Sequence, residues 1–209
     1  MPKTAVEIER GVKHLRRADP VLKEVIRQAG PFALKLKRDR FQALVSSILS
    51  QQISGKAADA IKRKFLDYVG PEGMTPRFIS TLGVEDLRTV GLSRQKASYI
   101  LDLAQRVHEG TLPLEHLAGL SDDAVVESLI EVKGIGVWTA HMFLIFSLGR
   151  LDVMPHGDYG VRSAIQKLYG LDELPNRQTC DRIAEPWRPY ASIAAWYCWR
   201  SLEFPGPLK

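Results

Sequence analysis

A Gly-x-Gly segment between two helix-like stretches is the feature that most constrains the fold of this chain. Gly134 and Gly136 flank Ile135, after an apolar pattern over residues 124–132 and before one that begins near Val137. Glycine permits a tight turn and leaves no side chain to block a close approach. The first amide groups of the following helix lack helical partners and favour a bound phosphate. The pattern therefore predicts a helix–hairpin–helix that binds a phosphate backbone without reading its sequence.

The alternative is a plain helix–turn–helix in which the two glycines only end and begin helices. A lone Gly-x-Gly would favour that alternative, because short glycine motifs match by chance. Here the pattern is longer, since Leu129 and Val132 precede the glycines and Ala140 follows them at an inward-facing position. The longer pattern favours the DNA-binding interpretation.

The rest of the chain shows helical patterning and predicts the fold class. Apolar residues recur at helical spacing between residues 41 and 49, and Ser54, Ser93 and Ser121 are placed to begin three further helices. No run of alternating β-branched residues is present. We predict an all-α fold of about ten short helices. The helix after Ser54 is expected to direct four residues inward: Ala57, Ile61, Phe65 and Leu66.

Two helical lobes are predicted. Residues 1–39 and 150–209 would form a terminal lobe, and residues 40–149 a central lobe that ends in the helix–hairpin–helix at about 124–148. If the first and last segments pack together, a cleft would lie between the lobes. Asp158 would then lie at their boundary, where ligand sites are common.

Charge and composition restrict the function classes. The formal net charge of +5 favours a polyanionic partner. Cys180 and Cys198 are the only cysteines, and two thiolates cannot hold a four-cysteine iron–sulfur cluster. The apolar window over residues 142–148 is too short to span a bilayer, and residues 1–17 do not resemble a signal peptide. We expect a soluble intracellular protein, in the bacterial cytoplasm or nucleoid, or in a eukaryotic nucleus.

Asp158 has two compatible interpretations. It follows Pro155 and precedes the helical pattern of Val161 and Ile165, so the simpler interpretation is a helix N-cap. Amide groups at a helix start also stabilise a negative charge and fix its orientation. A carboxylate held in a dry cleft can stabilise a developing positive charge in a reaction.

Trp138 and two glutamines are further candidates. Trp138 opens the helix after the hairpin, where its face could stack on a base and would attract a cationic ring more strongly than a neutral one. Gln51 and Gln52 follow the helix of residues 41–49, where exposed amides could fill a gap in a base stack. A solvated helix end explains the glutamines equally well, and both interpretations stay open.

Together these segments resemble the helix–hairpin–helix (HhH-GPD) base-excision DNA glycosylases, in particular the alkylation-repair branch of the 3-methyladenine DNA glycosylase II type. The resemblance runs from about Arg40 to Trp199. It rests on five segments: residues 48–54 (ILSQQIS), 91–97 (GLSRQKA), 132–140 (VKGIGVWTA), Asp158-Tyr159, and 186–197 (PWRPYASIAAWY).

The resemblance implies a two-lobed helical glycosylase fold with an interlobe cleft, and a monofunctional hydrolase that flips out alkylated purines such as 3-methyladenine. The expected partner is double-stranded DNA that contains alkylated bases, bound by a monomer. Bifunctional relatives carry a Schiff-base lysine where this chain has Trp138, so no β-lyase activity is expected. The alternatives are a non-catalytic helix–hairpin–helix DNA-binding protein, a bifunctional glycosylase/lyase and, more remotely, a small-molecule nucleosidase.

The resemblance also assigns roles to residues. Asp158 is the catalytic aspartate, and Met142 stands where certain members have a pocket tyrosine. The expected base pocket comprises Trp138, Trp196, Met142, His141 and Tyr159. The expected DNA contacts are Gln51, Gln52, Ser54, Lys133, Gly134, Ile135, Gly136 and Thr139.

Two further expectations concern cations. Arg94 and Lys96 are candidates for phosphate contacts, with ordinary surface charge as the alternative. The resemblance implies no cofactor and no iron–sulfur cluster, but a structural Na⁺ or K⁺ at the hairpin. Its ligands would be the main-chain carbonyls of Ile130, Val132 and Ile135.

Overall fold

The computed structural model describes residues 5–70 and 73–204, and this part of the chain is helical without a strand. The all-α prediction is therefore confirmed. The described residues form twelve α-helices rather than about ten, because α5 and α6 are only four and six residues long. The helices are α1 (Ala5–Ala18), α2 (Pro20–Ala29), α3 (Arg40–Ser50), α4 (Gly55–Val69), α5 (Pro76–Ile79), α6 (Val84–Thr89), α7 (Arg94–His108), α8 (Asp122–Ile130), α9 (Val137–Phe146), α10 (Tyr159–Leu168), α11 (Arg177–Ala184) and α12 (Ala191–Ser201), with short 3₁₀ helices at His116–Gly119 and Glu185–Trp187.

Local side-chain caps start the helices where the sequence predicts them. Ser54, Ser93, Ser121 and Asp158 are the N-caps of α4, α7, α8 and α10. Each side chain accepts a hydrogen bond from the backbone N–H three residues further on. Such a bond satisfies an amide that has no partner inside the helix.

The contacts divide the chain into two compact units. The first contains the described residues of Met1–Leu36 and Leu144–Lys209, and the second is Lys37–Phe143 apart from the undescribed residues 71–72. The first division precedes α3, and the second lies inside α9. The lobe boundaries predicted from the sequence lie a few residues later along the chain at both places.

In the first unit, α12 packs against α1, α2 and α10. The core between them is apolar and aromatic, and the fully buried Trp187 and Tyr197 are its largest side chains. Because α10 and α12 are in contact, the N-cap of α10 lies within reach of side chains on α12.

In the second unit, α7 packs against α3, α5 and α6, and α3 packs against α4. The apolar residues of α3 are buried as predicted. For α4 the prediction was partly wrong, because Ala57 and Leu66 are exposed while Ala58, Phe65 and Val69 are buried. Apolar residues lie on more than one face of α4, and the neighbouring helices cover only part of this apolar surface. The pattern therefore predicts a helix but not which of its faces is buried.

None of the described helices combines the length and the apolar character that a membrane span requires.

Candidate functional site

The hairpin lies between α8 and α9. Helix α9 begins at Val137 as predicted, whereas α8 ends at Ile130, two residues before the predicted end. Within the turn, the N–H of Ile135 donates to the carbonyl of Val132 at 3.1 Å. Gly134 has a φ of +80°, which is the left-handed region that favours glycine. The predicted tight turn is therefore present.

Tyr99 of α7 lies directly against Gly134. A Cβ atom at Gly134 would lie 2.0 Å from Cδ2 of the Tyr99 ring, a distance that real contacts do not reach. The Tyr99 hydroxyl accepts a hydrogen bond from Gln95 Nε2 at 2.6 Å, which helps to fix the ring. The hairpin is thus held against α7 by a contact that only glycine allows.

Asp102, one turn further along α7, holds the next part of the hairpin. Its Oδ2 accepts a hydrogen bond from the backbone N–H of Lys133 at 3.0 Å and another from Arg106 Nε at 3.2 Å. The Lys133 ammonium is 3.8 Å from Oδ1 of Asp102, but the Lys133 side chain is otherwise largely exposed. Asp102 therefore fixes the main chain of the hairpin while leaving its lysine at the surface.

Gln51 connects the end of α3 to the hairpin, and Lys96 connects the end of α3 to α7. Gln51 Nε2 donates to the carbonyl of Gly134 at 2.8 Å. Lys96 Nζ donates to the carbonyls of Leu49 at 2.8 Å and of Gln51 at 2.7 Å, and burial lowers the pKa of this lysine. A cation bonded to the last carbonyls of a helix is favourable. Both residues thus have a structural role that the sequence did not predict, because their partners lie 45–83 residues away in the chain.

Gln52 is placed differently from Gln51. It is exposed and has a φ of +56°, the one positive φ among the described residues other than glycine. Ser54 follows as the N-cap of α4. The short loop between α3 and α4 therefore presents Gln52 to solvent, whereas the amide of Gln51 is bonded within the unit.

The remaining predicted DNA contacts of the second unit vary in exposure. Ile135 and Thr139 are buried, and Gly136 is exposed. Arg94 is exposed and paired with Glu85 at 2.9 Å. Trp138 is 43% exposed at the start of α9, while His141 and Met142 are half-buried.

Asp158 is the candidate catalytic carboxylate of the first unit, and it is only 9% exposed. Its Oδ1 accepts two hydrogen bonds of 2.8 Å, from the backbone N–H of Val161 and from Trp199 Nε1. The first bond is the predicted N-cap of α10, and the second was not predicted. The next residue, Tyr159, is 72% exposed.

Trp196, the other predicted pocket aromatic of this unit, lies on α12. Its ring meets Tyr197 edge-on at 4.9 Å between centroids and Phe32 at 5.0 Å. The Arg200 guanidinium lies 5.9 Å from the Trp196 ring centroid. Trp196 is thus held by aromatic neighbours while part of it stays exposed.

Comparison with known proteins identifies the family. Residues 45–189 match the sequence model of a family described as HhH-GPD superfamily base excision DNA repair protein. The chain belongs to the HhH-GPD superfamily. This HhH-GPD protein is also 30% identical, over 199 residues covering 93% of both chains, to the alkylbase DNA glycosidase-like protein mag2 of Schizosaccharomyces pombe. The resemblance inferred from the motifs is confirmed.

Solved structures agree with the family. The 3-methyladenine DNA glycosylase Mag1 of S. pombe, in complex with abasic DNA, matches with a TM-score of 0.83 and 31% identity, over 94% of this chain and 98% of Mag1. The DNA-3-methyladenine glycosidase of Bacillus halodurans matches with a TM-score of 0.84 and 38% identity, over 92% of this chain and 89% of that one. The HhH-GPD fold predicted from the motifs is therefore confirmed.

Proposed function

We propose that this HhH-GPD protein is a monofunctional DNA glycosylase that releases alkylated purines such as 3-methyladenine and so starts base excision repair. The observation that carries the proposal is the buried Asp158 carboxylate, held by two N–H donors, in a chain that also has the helix–hairpin–helix. Relatives that cover most of this chain are named DNA-3-methyladenine glycosylases, which are hydrolases.

DNA is bound through the hairpin. The N–H of Gly136 and those of the first residues of α9 contact a backbone phosphate, since α9 is a ten-residue helix whose start carries a partial positive charge. The N–H groups of Lys133 and Ile135 are already bonded within the protein. Lys133 adds a positive charge at the exposed edge of the turn. These contacts do not read bases, which suits an enzyme that must find damage in any sequence.

The alkylated base leaves by hydrolysis. Extruding the nucleotide from the duplex costs a few kcal/mol, and less where damage has already weakened pairing or stacking. Alkylation at N3 or N7 makes the purine cationic, so the base takes the electron pair of the N-glycosidic bond and departs neutral. The sugar becomes oxocarbenium-like, and Asp158 stabilises that charge or activates the water that adds to it. The products are a free base and an intact abasic site.

The Trp138 ring, which is 43% exposed, is suited to stacking on the extruded base. A tryptophan face attracts a cationic ring more strongly than a neutral one, so the alkylated purine is favoured over its undamaged counterpart. Base contacts by Trp196, Met142, His141 and Tyr159 remain predictions.

The contacts of the two glutamines favour Gln52 as the residue that enters the DNA. Gln51 already donates to the Gly134 carbonyl, whereas Gln52 is exposed on the loop. Gln52 also adopts a left-handed backbone conformation, which is unfavourable for any residue with a Cβ atom. Strained conformations of this kind often occur at functional positions.

Replacing Gln52 by glycine is therefore expected to separate function from stability. Gln52→Gly should leave the free energy of unfolding unchanged or raise it, because glycine suits a positive φ. It should slow base release from duplex DNA. Gln51→Ala is the comparison, and it should lower the free energy of unfolding by about 1 kcal/mol through loss of a hydrogen bond. Thermal unfolding measures the change in stability, and single-turnover kinetics measure the rate of base release. Unchanged release by Gln52→Gly would count against this role.

A monovalent cation at the hairpin fits the residues present. The carbonyl of Val132 accepts one hydrogen bond, from Ile135, and a carbonyl oxygen has two lone pairs. Ile130 is the last residue of α8, where carbonyls lack helical partners. With the Ile135 carbonyl, these neutral oxygens suit Na⁺ or K⁺, which would supply positive charge next to a phosphate. Replacing KCl by tetramethylammonium chloride at equal ionic strength should then weaken DNA binding, and equal affinity in both salts would argue against the cation.

The activity is tested by incubating the protein with methylated duplex DNA. We expect released methylated purines, intact abasic sites and no covalent protein–DNA adduct after sodium borohydride treatment. DNA binding without release would favour the non-catalytic DNA-binding protein, and a trapped adduct would favour the glycosylase/lyase. We further propose that the protein acts inside the cell and as a monomer. Size-exclusion chromatography with and without DNA tests the oligomeric state.

A further inference from the structure

We infer that Trp199 is a positioning residue for the Asp158 carboxylate. The inference rests on the proposed catalytic role of Asp158. Trp199 Nε1 on α12 donates to Asp158 Oδ1 at 2.8 Å, across 41 residues of sequence. The same oxygen accepts the N-cap bond from the backbone N–H of Val161. Two donors from different helices therefore meet on one carboxylate oxygen.

The second donor matters because an aspartate is not fixed by its cap alone. The torsion that rotates a carboxylate about its last bond is broad and roughly two-fold, unlike the torsions of saturated carbons. The Val161 amide holds one oxygen at the start of α10. A second N–H from α12 limits the rotation that remains, and a reacting group gains from being held within about 10–20° of its working orientation.

Tryptophan suits this role chemically. The indole N–H is a hydrogen-bond donor only, and it does not ionise near neutral pH. Trp199 can therefore orient Asp158 without competing with it as an acid or a base. A lysine or histidine at this position would add a charge or a second titrating group.

The indole is itself held in place. It stacks on Phe146 at the end of α9, with ring centroids 5.6 Å apart and an angle of 29° between the planes. The ring also packs against the core of the first unit. Its N–H direction is thereby fixed by packing, which is what a supporting residue requires.

Gly160 leaves the space that this contact needs. A Cβ atom at Gly160 would lie 3.0 Å from Trp199 Cδ1 and 3.1 Å from Asp158 Oδ1, tighter than nine in ten real contacts, so a neighbour would have to shift by a few tenths of an ångström. The φ of Gly160 is not positive, so its backbone does not demand glycine. At Gly160 the space between the indole and the carboxylate, rather than the backbone conformation, therefore favours glycine.

The same chain offers a matched control in Trp187. Its Nε1 donates at 2.8 Å to Asp19, which is the N-cap of α2 as Asp158 is the N-cap of α10. Both pairs join an indole N–H to a capping aspartate, and neither Asp19 nor Trp187 has a proposed part in the reaction. Trp187→Phe thus removes the same kind of bond where only stability should respond.

The test compares single-turnover release of 3-methyladenine from methylated duplex DNA by the wild type, Trp199→Phe and Trp187→Phe. Phenylalanine keeps an aromatic ring and removes the N–H. We expect release by Trp199→Phe to fall about 10–100-fold, the loss typical when a residue that orients a metal-binding side chain is removed, because Trp199 supports Asp158 in a comparable way. Its affinity for abasic DNA should stay close to that of the wild type, and its melting temperature should fall no further than that of Trp187→Phe, since each variant loses one indole N–H bond to a capping aspartate. Trp187→Phe should melt at a lower temperature and release the base at the wild-type rate.

Gly160→Ala provides a second variant that removes no polar group. Its methyl group should displace the indole or the carboxylate and slow release, while abasic-DNA binding persists. The inference is overturned if Trp199→Phe, or a Gly160→Ala protein with native melting, releases base within twofold of the wild type. It is also overturned if release and abasic-DNA binding fall together in both variants. No release by the wild type would instead refute the proposed function.

Discussion

Asp158→Asn is expected to lower the rate of base release by about 10²–10³-fold, the scale of losing one electrostatic contact to a transition state. Asparagine is as good an N-cap as aspartate, and its side-chain oxygen can still accept from Val161 and Trp199. The substitution therefore removes the negative charge and little else. Single-turnover release, thermal unfolding and abasic-DNA binding together measure the effect, and only release should change greatly.

Asp39→Asn is the matched control for this substitution. Asp39 caps α3 by accepting from the backbone N–H of Gln42 at 2.8 Å, so the same change of charge occurs at another helix start. Its release rate should equal that of the wild type. If Asp158→Asn also releases base at the wild-type rate, Asp158 is only a helix cap. If instead Asp158→Asn loses DNA binding, the carboxylate acts in binding rather than in the reaction.

The starts of the helices were predictable because their causes are local. A serine or aspartate caps a helix through an amide three residues away, so Ser54, Ser93 and Ser121 were identifiable by inspection. The hairpin was predictable for the same reason, since the conformation of Gly134 belongs to its own turn. Motifs that match a family then indicated the fold.

The supports of the candidate site were not predictable, because they join distant parts of the chain. Gln51 and Gly134 are 83 residues apart, and Lys96 and Leu49 are 47 residues apart. Taken from the sequence, Lys96 was a candidate for a phosphate contact or an ordinary surface cation, and Trp199 was only the last residue of the family resemblance. Their roles depend on which helices pack together, and spacing within one helix does not carry that information.

The exposure of a side chain was predictable only where it depends on residues nearby in the chain. Trp138 opens a helix beside a polar turn, and it is exposed, whereas Trp187 is fully buried. The rotation of α4 was not predictable, because apolar residues lie on more than one of its faces. A helix with a broad apolar surface is positioned by its neighbours rather than by its own pattern.

Gly134→Ala is expected to weaken both the fold and DNA binding. Alanine would have to keep a φ of +80° and would place a methyl group 2.0 Å from the Tyr99 ring. Strain and overpacking of this kind lower the free energy of unfolding by about 1–3 kcal/mol each. The turn must shift to relieve the clash. If its amides bind a phosphate as proposed, affinity for abasic DNA should therefore fall at least tenfold at fixed salt.

Gly136→Ala separates the two roles that glycine has in the hairpin. Gly136 is exposed, its φ is not positive, and a Cβ atom there would contact nothing within 4 Å. The free energy of unfolding should therefore stay within about 0.5 kcal/mol of the wild-type value. If a phosphate lies against this face, the added methyl group should still lower DNA affinity. Wild-type affinity in Gly136→Ala would show that DNA does not approach Gly136. If only Gly134→Ala binds DNA weakly, DNA binding depends on the backbone conformation of the turn and not on the absence of a side chain at Gly136.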